Sequence, residues 1–117
     1  MGPAELLRWQ WANYPGTHTT RANLLLHICT MPFFWAGTLL SLVGLLTLSW
    51  LPVVLGFACL LVPVIAQGLG HRRLEPMAPA PFTSPWNFVA RLTLEQWIIF
   101  PRYVLSGGWG RAYRDAR

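Results

Sequence analysis

Two apolar runs dominate the chain, Leu24–Ser49 and Leu51–Gly70, and they meet at a short break, Ser49-Trp50-Leu51-Pro52. From Phe33 to Gln67 the only ionisable side chain is Cys59. A membrane-spanning helix needs about 20 consecutive apolar residues, so this stretch and the apolar residues before it suffice for two. The pattern predicts an antiparallel helical hairpin over residues 23–75 with its turn near Ser49. Asn23 is a good N-cap for the first helix, and Thr19 and Thr20 are alternative starts; Pro32 would kink it. The second helix runs from Pro52, through Pro63, to about Glu75, where Pro76 disfavours a further helical residue.

The flanks read differently. In residues 1–22, Pro3–Tyr14 forms a short amphipathic helix whose Leu6, Leu7, Trp9, Trp11 and Tyr14 suit a membrane interface, and Pro15-Gly16-Thr17 breaks it. Residues 76–85 are a proline-rich loop. Residues 86–105 are apolar but carry Arg91, Glu95 and Arg102. Central charges are costly in a spanning helix, so this segment is expected to lie in the interface, anchored by Trp86, Trp97 and Tyr103, rather than to enter the bilayer against the hairpin. Arg91 and Glu95, four apart, can pair on one face. Residues 106–117 are a basic tail. The fold class is thus an all-α integral membrane protein, one domain over 1–117, with a transmembrane hairpin and added interfacial helices.

Composition sharpens this reading. The chain is 54% hydrophobic and 11% charged, unlike an ordinary soluble domain. Met1–Asn13 carries Glu5 and Arg8 and no apolar core, so no cleavable signal peptide is expected there. All nine basic residues are Arg, and they flank the apolar runs while the break between them is uncharged. The positive-inside rule puts both hairpin ends in the cytoplasm, at a bacterial inner membrane or the endoplasmic reticulum. The net charge of +5 does not indicate nucleic acid, because no basic helix or stacking module accompanies it. Cys29 and Cys59 would sit about 15 Å apart along the hairpin, too far for a disulfide, and read as packing residues.

Candidate chemistry gathers at the open end of the hairpin. His27 and His71 lie 22 residues on either side of position 49, and Asn23 and Glu75 lie 26 on either side. Gln67, His71 and Glu75 recur every four residues on one helical stripe. If the chain breaks between Pro15 and Asn23, His18 folds back and all three histidines converge. Three imidazoles with open positions suit Fe(II) or Zn(II), with Glu75 as a fourth ligand or as the acceptor that orients a liganding ring. Against this stand ordinary roles: Asn23 as a cap, Gln67 as interhelical glue, and Arg72 and Arg73 as lipid-facing snorkelers.

The stretch His18-Thr-Thr-Arg-Ala-Asn23-Leu-Leu-Leu-His27-Ile-Cys-Thr-Met-Pro32 resembles the first signature of a family of small membrane proteins. Known members of that family are Fe(II)-dependent dioxygenases acting on 2-hydroxy fatty acids in phytosphingosine breakdown. Gln67-Gly-Leu-Gly70-His71-Arg-Arg-Leu-Glu75-Pro-Met-Ala-Pro79-Ala80 resembles the second signature. Arg21 stands where the family usually has proline, and Trp86–Arg117 matches only loosely. The resemblance implies one-carbon shortening of a 2-hydroxy fatty acid with O₂, with Fe(II) held by His18, His27 and His71. On that reading Glu75 orients a ligand or takes the hydroxyl proton, and Arg72 or Arg73 steers the substrate carboxylate. A bis-His haem between His27 and His71, or a non-catalytic polar layer pinning two helices, are the other classes open to this sequence.

Overall fold

The computed structural model describes residues 1–116 and, among them, contains helices and no strand. Helix α1 spans Pro3–Asn13 and runs into a 3₁₀ turn, Tyr14–Thr17; α2 spans Arg21–Leu46 and α3 Trp50–Arg73. After the proline-rich loop come α4 (Pro85–Leu94), a π-helical segment (Glu95–Ile99), α5 (Phe100–Leu105) and α6 (Gly108–Asp115).

Helices α2 and α3 are long because nothing polar interrupts them, and both continue through their internal prolines, Pro32 and Pro63. At 26 and 24 residues they measure about 39 and 36 Å, so each is long and apolar enough to cross a membrane. They pack through small residues. A Cβ on Gly37 would lie 2.7 Å from the Gly56 carbonyl, and one on Gly44 would lie 2.7 Å from the Val53 nitrogen. No larger side chain permits that approach. Their outward faces carry Leu39, Leu46, Phe57, Leu61 and Ile65, all exposed in the isolated chain.

The turn is shorter than the sequence break suggests. Trp50, Leu51 and Pro52 form the first turn of α3, where proline loses no hydrogen bond, and only Thr47–Ser49 connect the helices. Leu48 takes a left-handed conformation with φ 53°, while the Ser49 amide donates to the Gly44 carbonyl at 2.8 Å. At the other end, Thr20 rather than Asn23 caps α2, its hydroxyl accepting the Asn23 amide at 3.3 Å. Helix α3 stops at Arg73, two residues short of Glu75.

The remaining elements gather around the open end of this pair. Tyr14, Leu24, Met31, Ile99, Phe100 and Tyr103 form the buried core there. The segment over 86–105 packs against α2 and α3 rather than standing apart: Trp35 donates to the Gln96 carbonyl at 2.7 Å, and Gln96, Ile99 and Phe100 are buried. Tyr103, expected as an interface anchor, is buried in the core, whereas Trp86 is exposed. The basic tail is ordered as α6. Trp109 donates to the Leu24 carbonyl, and Arg21 donates to the Tyr113 and Arg114 carbonyls at the end of α6. Cys59 is partly buried, but Cys29 is exposed on the outer face of α2 and so is not a packing residue in the isolated chain.

Candidate metal centre

Four separate stretches of chain each bring one potential metal-binding side chain to the open end of the helix pair. The 3₁₀ turn Tyr14–Thr17 reverses the chain so that His18 stacks on Tyr14, ring centroids 3.7 Å apart, instead of extending α2. His27 lies two turns into α2, His71 in the last turn of α3, and Glu95 at the start of the π-helical segment. One donor atom from each of His18, His27, His71 and Glu95 lies within 4.8 Å of all the others. Ring centroids are 4.6 Å apart for His18–His27 and His18–His71, and 5.0 Å for His27–His71.

The tautomers follow from the outer partners. Nδ1 of His18 lies 2.8 Å from the Tyr14 carbonyl, and Nδ1 of His27 lies 3.0 Å from the Asn23 carbonyl. A carbonyl only accepts, so both Nδ1 atoms carry the hydrogen, and each neutral ring presents an Nε2 lone pair to the centre. Those Nε2 atoms and Oε2 of Glu95 are buried with no hydrogen-bond partner. Oε2 lies 3.4 Å from Nε2 of His18 and 3.8 Å from Nε2 of His27. Burial alone would raise the Glu95 pKa, but its contact with His18 and its electrostatic coupling to His27, His18 and His71 outweigh burial and hold it at about 2. A carboxylate facing lone pairs across a few ångströms is a set of acceptors without a donor. A shared cation resolves it, and the cluster is chemically fit to bind a metal ion.

Glu95 is the member of the cluster that spacing assigned elsewhere. The expected Arg91–Glu95 pair does not form. Arg91 donates to the Pro81 carbonyl at 3.1 Å and lies over the rings of Trp9 and Phe82, which leaves Glu95 to the histidines. The π-helical widening begins at Glu95, and such irregularities re-aim side chains at functional sites. Gln96 is tied to Gln67 by a 2.6 Å hydrogen bond, and Gln67 in turn donates to Thr30. Gln67 is therefore interhelical glue that also fixes the position of Glu95. A lone carboxylate in an otherwise apolar segment was the available signal.

Glu75 stands outside the cluster and orients no ring. Its two oxygens accept from the Thr19 and Thr20 amides, both threonine hydroxyls and Asn23 Nδ2, at 2.6–3.3 Å. This clamp ties the segment between His18 and His27 to the end of α3. Asn23 serves it as a donor rather than as the helix cap. Arg72 and Arg73 are exposed, and neither lines the cavity of about 250 Å³ that opens beside the cluster. That cavity is bounded by His18, His71 and Glu95 on one side and by Trp9, Phe82 and Arg91 on another. Comparison with protein-family models, curated proteins and solved structures returns no match.

Proposed function

We propose that this protein is a membrane-embedded Fe(II)-dependent dioxygenase that shortens 2-hydroxy fatty acids by one carbon. The observation that carries this reading is the buried set of three imidazoles and one carboxylate with unpartnered donor atoms. Such a nitrogen–oxygen set suits Fe(II), which His18, His27, His71 and Glu95 would hold. The two sequence signatures around His18–Pro32 and Gln67–Ala80 point to the same chemistry and supply the substrate class. In place of the ligand set of three histidines, the proposal includes Glu95, and it gives Glu75 the task of holding the chain rather than moving a proton.

Helices α2 and α3 form the transmembrane hairpin of this proposal, with both ends on the cytoplasmic side. From His27 to Leu46 is about 29 Å of helix, so the metal lies near the headgroup plane when the turn reaches the opposite face. A fatty acid keeps its tail among lipids and brings its polar end to the centre. Iron bound there supplies the one-electron chemistry with O₂ that the side chains lack. The residues do the rest. His18 and His27 are held by the Tyr14 and Asn23 carbonyls with their Nε2 atoms aimed inward, Glu95 contributes negative charge, and the packed rings of Tyr14 and Phe100 exclude water.

A haem reading is poorly served by this geometry. His27 and His71 centroids are 5.0 Å apart and share their space with His18 and Glu95, which leaves no slot for a porphyrin between them. The test of the proposal is O₂ consumption by purified, iron-loaded protein in detergent, with 2-hydroxypalmitate. Substrate-dependent uptake with formation of the C15 acid is expected. Fully iron-loaded protein that consumes no O₂ with any 2-hydroxy acid from C12 to C24 would refute the activity.

A further inference from the structure

Arg91 is an unusual arginine. It is 8% exposed, yet it has no carboxylate partner among the described residues. Its guanidinium lies 4.3 Å from the centroid of the Phe82 ring and 5.0 Å from that of Trp9, so its plane is fixed by aromatic packing. Only Nη1 is committed, to the Pro81 carbonyl at 3.1 Å and, at 3.5 Å, to Asn87. Nε and Nη2 form no hydrogen bond among the described residues and are not sealed from the surrounding space. The backbone at Arg91 is fastened as well, since Gln10 of α1 donates to its carbonyl at 2.8 Å.

Position gives this free fork a purpose. Arg91 precedes Glu95 by four residues, about 6 Å along the helix. Both line the cavity that also reaches His18 and His71. A second cavity of about 310 Å³ also borders Arg91 but touches none of the four cluster residues. The first cavity, at about 250 Å³, is too small for a whole long-chain acid and fits its head end. Its remaining walls are largely apolar, with Met77, Pro79 and Leu92 among them. A preoriented guanidinium with two spare donors, in an apolar cleft opening onto a metal-binding cluster, is built for a planar anion.

We infer that Arg91 anchors the carboxylate of the acid in this cavity and so positions its 2-carbon toward the His18–His27–His71–Glu95 cluster. The inference rests on the proposed function and names the head-group contact of that same site. It moves carboxylate recognition from Arg72 and Arg73, which are exposed at the end of α3, to a residue one helical turn from the centre.

The test is equilibrium binding to anaerobic, iron-loaded protein in detergent, followed by tryptophan fluorescence, with 2-hydroxypalmitate and its methyl ester as probes. Arg91→Gln should weaken acid binding at least about tenfold, the loss expected when a charge-assisted pair is removed, and leave the ester within about twofold. Equal affinity of this variant and the wild type for the acid, at unchanged iron content, overturns the inference. If Arg91→Gln does not fold, Arg91→Lys decides, because it keeps the charge and loses the fork. At least about threefold weaker binding of the acid alone supports the anchor, and no change overturns it. Hexadecyl phosphate binding more tightly than the acid to wild-type protein would assign Arg91 to a lipid phosphate and also overturn it. Failure of the underlying activity looks different: iron-loaded wild-type protein then consumes no O₂, while the Arg91-dependent preference for acid over ester persists.

Discussion

Glu75 and Glu95 show how one residue type serves two ends. Glu75 follows His71 by four residues, a spacing that on a helix two residues longer would put both on one stripe and that made it the natural partner for a liganding ring. Its oxygens instead satisfy the Thr19 and Thr20 amides at the start of α2, groups that would otherwise be orphaned. Burial would raise its pKa, but the bonds from Thr19, Asn23 and Thr20 hold it below its usual value. Stability from such a group is present above the unfolded-state pKa, about 4.3, and is lost as pH falls through the lower folded-state value. Glu75→Gln is therefore expected to lower stability in detergent by about 1 kcal/mol at pH 7, the low end for charged hydrogen bonds at a partly exposed group. The gap should narrow in melts below about pH 4, with iron content unchanged. A gap that widens on acidification would contradict this assignment. His27 and His71 were legible from their spacing because a hairpin equalises positions about its turn, and His18 only through the break signalled by Pro15-Gly16-Thr17. Glu95 was not, because the same i,i+4 rule that groups ligands also offered it Arg91. Only the aromatic sandwich of Trp9 and Phe82 around Arg91, formed by distant segments, breaks that pairing.

At the scale of elements, hydrophobic pattern marked the helical stretches up to Leu105 but not α6, which it left as a basic tail, while local hydrogen bonding set the helix ends. Thr20 could be named as a possible cap but not chosen over Asn23 until Glu75 was seen to accept from the Asn23 side chain through Nδ2. The π-helical segment leaves no mark in apolar periodicity, so the direction of Glu95 could not be read either. The contact between α2 and α3 rests on glycine in a way that mutation can measure. A Cβ on Gly56 would come within 2.7 Å of the Ser41 nitrogen, whereas one on Gly68 meets nothing within 4 Å. Gly56→Ala is expected to cost about 1–3 kcal/mol by forcing the helices apart. Gly68→Ala should stay within about 0.5 kcal/mol of the wild type or be slightly stabilising. Thermal melts of the two variants in one detergent make the comparison, and equal losses would mean that the helices do not pack through these glycines. Deleting Ile98, an exposed residue of the π-helical segment, should restore an α-helical register and rotate Glu95 about 100° relative to α5. A large fall in iron affinity is expected, and unchanged affinity would show that the widened turn does not aim the ligand.

Across the whole molecule, polarity is sorted along one axis. The outer faces of α2 and α3 are apolar and uncovered, while His18, His27, His71, Glu95 and most of the charged side chains collect with the smaller helices at the open end. This arrangement suits a protein that stands in a bilayer and works at its surface. With Cys29 and Cys59 replaced by Ser, Gly16→Cys and Ala78→Cys should be labelled from the cytoplasmic side and Leu46→Cys from the opposite side. Labelling of positions 16 and 78 from opposite sides would rule out the hairpin in the membrane. The central claim is that one ion is held jointly by His18, His27, His71 and Glu95. Its most direct measurement is the iron content of anaerobically reconstituted, monodisperse protein, wild type beside His18→Ala, His27→Ala, His71→Ala and Glu95→Gln. The account predicts about one iron per wild-type chain, and loss of stably retained iron in each of the four variants when their folds are intact. A well-folded His71→Ala variant that kept its iron would contradict it.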